Sequence, residues 1–178
     1  MQNAMLYFDE NTLFKNLRHE VLTFDEVYRE ILKFIRADTN SSYRISIGTD
    51  SQVSSKTVFV SCILVHRVGY GAIGFLHKSV MQRPVVNLRE KIYLETTASL
   101  QLAYLFDEEK IAAIKKVVEQ DSKKGVTFEF HIDIGHKGKT KSLINEMVAM
   151  VRGINFIPKI KPDSYCATAF ADRYTKAM

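Results

Sequence analysis

FEFHIDIGHKGKTKS, Phe128 to Ser142, is the stretch on which the rest of the chain turns. Its first half alternates Phe128, Phe130 and Ile132 with Glu129, His131 and Asp133, the period-2 pattern of a β-strand. Its second half carries Gly138-Lys139-Thr140, which has the look of a phosphate cradle. A phosphate loop needs G-x-x-x-x-G-K-[ST], because glycine φ freedom turns several N–H groups inward around the anion. Counting back five from Gly138 lands on Asp133, whose carboxylate would point negative charge at that anion. The stretch therefore reads as a strand ending in an acid, with Gly135 and Gly138 free to make a tight turn. A helix follows, about Lys139 to Arg152, whose first N–H groups are open to a phosphate and whose end is marked by Gly153 at C′.

Upstream, Thr23-Phe-Asp-Glu26 is a capping box with Leu22 and Val27 placed as its hydrophobic staple. Phe24, Val27, Tyr28, Ile31, Phe34 and Ile35 repeat at helical spacing to about residue 36. After the polar break Asp38–Ser42, Tyr43 to Thr49 alternates as a strand. Lys56 to Arg67 is a nearly continuous apolar run rich in β-branched residues, as in a strand covered on both faces. Val68-Gly-Tyr-Gly71 leads into a third strand, about Ala72 to Val80, and links this short require antiparallel neighbours.

A long helix (about Asn87 to Phe106), a charged helix-rich segment (Asp107 to Gln120) and the strand Val126 to Asp133 come next. Beyond the helix of the opening stretch lie a short strand, Ile154 to Ile160, and a final helix begun by Pro162-Asp163-Ser164. The expected class is α/β: a five-stranded mixed sheet, three antiparallel strands and then two with helical crossovers, flanked by helices. Residues 1–42 read as an extension with one helix packing on the core, and residues 43–178 as the domain proper.

Four carboxylates fall where such a fold could gather them. Asp50 closes the first strand and shares parity with Ser46 and Gly48, small residues that leave room above that face; a hairpin-opening turn residue is the plain alternative. At ~100° per residue, Leu88, Ile92, Ser99, Leu102, Ala103 and Phe106 form one stripe of the long helix, with Glu95 near its centre. A charged glutamate on a core-facing stripe is costly unless it is paired or metal-bound. Asp133 ends the fourth strand, and Asp172 lies midway along the last helix among alanines that permit close approach to the sheet. A turn residue at Asp133 and an ion pair of Asp172 with Arg173 or Lys176 are the local alternatives. Four hard oxygen donors suit Mg²⁺ or Mn²⁺ rather than zinc, and such a cluster supports two-metal phosphoryl transfer with ions roughly 4 Å apart.

His136, Lys137, Lys139 and Lys141 form a basic rim beside these acids, suited to a nucleic-acid backbone or else simply solvated. His131 reads as a packed strand residue. Net charge +5 and pI near 9.1 accord with a polyanionic partner. Cys62 and Cys166 sit in apolar and Ala-rich runs and read as buried free thiols, as suits a reducing cytoplasm. The N-terminus lacks the basic and apolar segments of a signal peptide, and no apolar run approaches the ~20 residues of a membrane span. A cytoplasmic protein without a membrane partner is expected.

The element order and the placing of its four acids resemble the ribonuclease H-like superfamily over about residues 43–177. IGTDSQ (47–52), HIDIGHKGKTKSLINEM (131–147) and KPDSYCATAFADRYTK (161–176) are similar to the uncharacterised bacterial YkuK-type family of RNase H-like proteins. The resemblance implies that Asp50, Glu95, Asp133 and Asp172 are both metal ligands and catalytic residues. Asp50 would bridge two Mg²⁺ or Mn²⁺ ions, Glu95 and Asp133 would complete the leaving-group side, and Asp172 would join Asp50 around the ion that activates water. The implied activity is metal-dependent phosphodiester hydrolysis of nucleic acid, whether RNA, DNA or hybrid. A nucleic-acid-binding module without turnover is the alternative, and a P-loop-like nucleotide-binding protein using Lys139 a further one. Hybrid-cutting relatives carry Gly after the first-strand aspartate, where the backbone approaches substrate; here that position is Ser51, which joins the basic rim as an expected phosphate contact.

Overall fold

The computed structural model describes residues 6–118, 124–137 and 140–166. Two short strands, β1 (Phe14–Asn16) and β2 (Val21–Leu22), precede the helix α1 (Phe24–Arg36). The long meander follows as β3 (Tyr43–Val53), β4 (Thr57–Arg67) and β5 (Gly71–Met81). Helices α2 (Leu88–Tyr104) and α3 (Glu108–Val118) then lead into β6 (Val126–Gly135). A 3-10 turn (Lys141–Leu143), α4 (Ile144–Val151) and β7 (Ile157–Lys161) complete the described elements.

These strands make one seven-stranded sheet in the order β2-β1-β5-β4-β3-β6-β7. The five expected strands form its contiguous part: β3, β4 and β5 antiparallel, then β6 parallel to β3 and β7 parallel to β6. The added strands β1 and β2 extend the β5 edge, with Lys15 opposite Leu76 and Phe14 opposite Leu22. At three and two residues they are too short for alternation to show in a sequence. The tight link between β4 and β5 is possible because Gly69 and Gly71 take φ of 86° and 121°.

The capping box of α1 forms in full: Thr23 N–H donates to the Glu26 carboxylate at 2.8 Å, and the Thr23 hydroxyl accepts from Glu26 N–H. Phe24, Val27, Ile31 and Ile35 point from this helix into the core. There they join Ile45, Ile47, Phe59, Ile63, Phe128 and Phe130 of the sheet and Ala98, Leu102 and Phe106 of the α2 region in one hydrophobic cluster. Phe24 meets Phe106 edge-on at 5.1 Å between ring centroids. Each such fully buried side chain favours the folded state by about 1.5–3 kcal/mol. Leu6, Phe8 and Phe14 belong to the same cluster, so the N-terminal stretch and the central strands share one core.

Some expected boundaries move. Leu88 is 37% exposed and lies off the buried stripe of α2, which begins at Ile92. The helix after β6 starts regularly only at Ile144, after the 3-10 turn, while Gly153 does take the positive φ (96°) expected at C′. The expected final helix, from its residue 167 onward and with Asp172, lies outside the described residues, as do Gly138 and Lys139. Among the described residues, no helix is long and apolar enough to cross a membrane.

Candidate metal centre

The site begins where two strands part. Parallel pairing of β3 with β6 runs from Tyr43 opposite Val126 to Gly48 opposite His131 and then stops, although β3 continues to Val53 and β6 to Gly135. Asp50 and Asp133 each lie two residues beyond the last pair and, by the pleat, on the same face as Gly48 and His131. Asp50 therefore sits inside β3, opposite Val60 of β4, and does not close the strand. The register between β6 and β7 breaks between His131 and Gly135, placing Asp133 at an irregularity of the kind that re-aims a side chain.

The room expected above Ser46 and Gly48 is occupied. A Cβ on Gly48 would stand 3.2 Å from the His131 carbonyl oxygen and 3.6 Å from Cys166 Cβ, so glycine serves the close approach of β3 to β6.

Glu95 arrives from the other side of the sheet. Its position on α2 is buried, at 6% exposure, and Ser51 Oγ donates to Glu95 Oε1 at 2.6 Å. Ser51 follows Asp50 directly, so the pleat turns it towards α2. Its hydroxyl is buried against Glu95 rather than held out to solvent. Lys91, one turn earlier on α2, places Nζ 3.6 Å from the same carboxylate oxygen. Ser99, one turn later, donates to Thr49, which bonds to Ser61 at 2.8 Å, continuing a line of hydroxyls below the acid.

Asp133 acts on both other described acids, and Asp50 on Glu95. Burial, opposed by Lys91 and Ser51 and reinforced by the charges of Asp50 and Asp133, pushes Glu95 up to about 7. Burial and then the charge of Asp133 also raise Asp50, against a 2.8 Å bond from Ser51 N–H and the charges of Lys91 and Lys161. Lys161 Nζ stands 2.9 Å from Asp133 Oδ1. That contact is a close ion pair without hydrogen-bond alignment, and Asp133 Oδ1 is otherwise buried with no donor.

An all-oxygen set with one orphaned buried oxygen and mutually repelling charges fits a hard divalent cation. Among the described residues, no three His, Cys, Asp or Glu side chains stand together as a metal-ligand group; Asp133 is paired with Lys161, and Glu95 with Ser51 and Lys91.

His136, Lys137 and Lys141 are exposed beside the end of β6, as a basic rim requires. Because β6 runs on to Gly135, the residues where a phosphate loop would start are still strand. His131 is packed: Nε2 meets Glu129 at 2.9 Å, and Nδ1 accepts from the N–H groups of Tyr165 and Cys166 at 3.1 Å. Two donors on Nδ1 put the ring proton on Nε2, and burial lowers this histidine's pKa. Sequence reasoning missed Lys91 and Lys161. The i,i+4 spacing of Lys91 with Glu95 could have found the first. The second depends on strand register, which carries no local signal.

The chain matches the Ribonuclease H-like family over residues 26–176. It is 41% identical over 170 residues to "Uncharacterized protein YkuK" of Bacillus subtilis (strain 168), a match covering 94% of this chain and 99% of that protein. Among solved structures none matches. The sheet order, the parting of β3 from β6 and these two matches place the chain in the ribonuclease H-like family, with YkuK among its relatives.

Proposed function

We propose that the protein is a metal-dependent nuclease that hydrolyses phosphodiester bonds of nucleic acid in the notch between β3 and β6. The observation carrying this reading is the approach of Asp50, Glu95 and Asp133, from two strands and a helix, closely enough that, beside burial, the charge of Asp133 raises both Asp50 and Glu95 and that of Asp50 raises Glu95. Asp50, Glu95 and Asp133 would hold Mg²⁺ or Mn²⁺, two ions when substrate is bound, with Asp172 as the fourth ligand. The ions would supply Lewis-acid stabilisation of the phosphoryl oxygens and a more acidic water.

The chain's own residues prepare that chemistry. Ser51 fixes the rotamer of Glu95, so the acid meets a ligand without searching. Glu95 is about half protonated near neutral pH in the metal-free protein, so cation uptake releases a proton there. His136, Lys137, Lys139 and Lys141 would hold the phosphates flanking the cleaved bond.

Asp50→Asn and Asp133→Asn are each expected to abolish Mg²⁺- or Mn²⁺-dependent cleavage of oligonucleotides while leaving circular dichroism and melting unimpaired. Cleavage that survives both single changes rejects the assignment. The ion pairs of Lys91 with Glu95 and Lys161 with Asp133 favour a second reading, a nucleic-acid-binding module without turnover. Calorimetric affinity for RNA or DNA with no product after long incubation would select it.

A further inference from the structure

Lys161 is the last residue of β7, and its side chain is 54% exposed, yet its ammonium is directed to an acid two residues before its strand partner. Register explains how. Gly135 is the partner of Lys161, and a Cβ there would stand 3.1 Å from Lys161 Cβ and 3.9 Å from its Cδ. Gly135 has no positive φ that demands glycine, so the vacancy serves the lysine stem lying across β6. The β6–β7 register break sets Asp133 just behind that opening. The positive charge of Lys161 also favours the ionised form of Asp50, the smallest of the influences on that acid.

We propose that Lys161 is a tethered competitor for the divalent cation: its ammonium takes the place on Asp133 that the ion requires, and the ion binds only by turning the lysine out. The inference rests on the reading of Asp50, Glu95 and Asp133 as cation ligands. It raises the cation concentration needed for half occupancy, through a residue that is not itself a ligand. A lysine suits this role, because its compact point charge sits on a flexible stem and makes no fixed bidentate bond. Half exposure keeps the contact weak enough for millimolar cation to win, since pairs of this kind contribute at most about 1 kcal/mol.

The test is calorimetric titration of Mn²⁺ into the full chain and into Lys161→Met and Lys161→Arg, with melting temperature against Mn²⁺ concentration as a second readout. Lys161→Met is expected to bind Mn²⁺ about fivefold more tightly than the unaltered protein. Lys161→Arg, which keeps the charge, should stay close to the original affinity. Binding by Lys161→Met with none by the unaltered protein would also support the proposal, as a stronger latch. Equal or weaker binding by Lys161→Met overturns it while leaving the carboxylate site standing. Absence of Mn²⁺ binding in all three proteins at millimolar concentration overturns both this inference and the proposed function.

Discussion

The two faces of the central sheet are built on different principles. Under α1, α2 and α3 the strands present Ile45, Ile47, Phe59, Ile63, Phe128 and Phe130, a dry cluster that burial alone holds together. On the other face Cys62, Leu64, Leu76 and Cys166 form only a small apolar patch. Beside it runs a buried polar network. Glu129 pairs with Arg44 at 3.2 Å and with His131, Arg44 donates to the Tyr165 hydroxyl, and His131 receives the backbone of Tyr165 and Cys166. The first face specifies the fold. The second fastens the segment that leads towards Asp172, using directional bonds where apolar area is scarce. The acids gather where these two regimes meet, at the open end of β3 and β6.

Breaking the dry face should have the largest effect. Phe130→Ala removes a fully buried ring and is expected to cost about 4 kcal/mol in urea unfolding. Glu95 is the charged exception on that side, and its contribution has a definite sign. Its folded value of about 7 lies above the ordinary 4.5, so between those values the folded protein binds more protons than the unfolded chain. Stability of the metal-free protein should therefore fall as pH rises from about 4.5 to about 7, by about 3 kcal/mol in all. Glu95→Gln is expected to remove that slope and to be the more stable protein at pH 8, as chemical unfolding across this range would register.

The polar face should respond more mildly. Glu129→Ala leaves Arg44 without its carboxylate, but the Arg44 side chain is 37% exposed and water can serve it, so a loss of about 2 kcal/mol is expected. Hydrogen exchange at the Tyr165 and Cys166 amides should quicken in the same variant, while exchange in α1 stays slow. His131 gives this face the opposite pH dependence. Its folded pKa lies below the ordinary 6.5, so its share of stability is complete above 6.5 and is lost as pH falls through the folded value. A Glu95→Gln protein that still lost stability on alkalinisation, or a His131→Asn protein that still lost it on acidification through this window, would erase the distinction between the faces.

Most of the fold was legible in the sequence, because β3, β4 and β5 are long enough to show period-2 or unbroken apolar patterns and α1 declares itself by its capping box. Glu95 was legible for a related reason: a lone acid on a core-facing helical stripe is conspicuous, and it is buried with a hydroxyl and a lysine in attendance. Asp50 and Asp133 were legible as acids near strand ends, but not the fact that both strands run on past them. Short edge strands β1 and β2 left no periodicity to read. Lys161 was invisible because its partner is chosen by the β6–β7 register, a relation between residues 28 positions apart that exists only after folding.

Gly48 gives the molecule a gauge. With no side chain there, β3 and β6 touch at their last rung, two residues before each of the two aspartates. A single methyl at this fulcrum would pry the strands apart and detune the acids without altering either of them, so the reach between distant carboxylates is calibrated by an atom the chain leaves out.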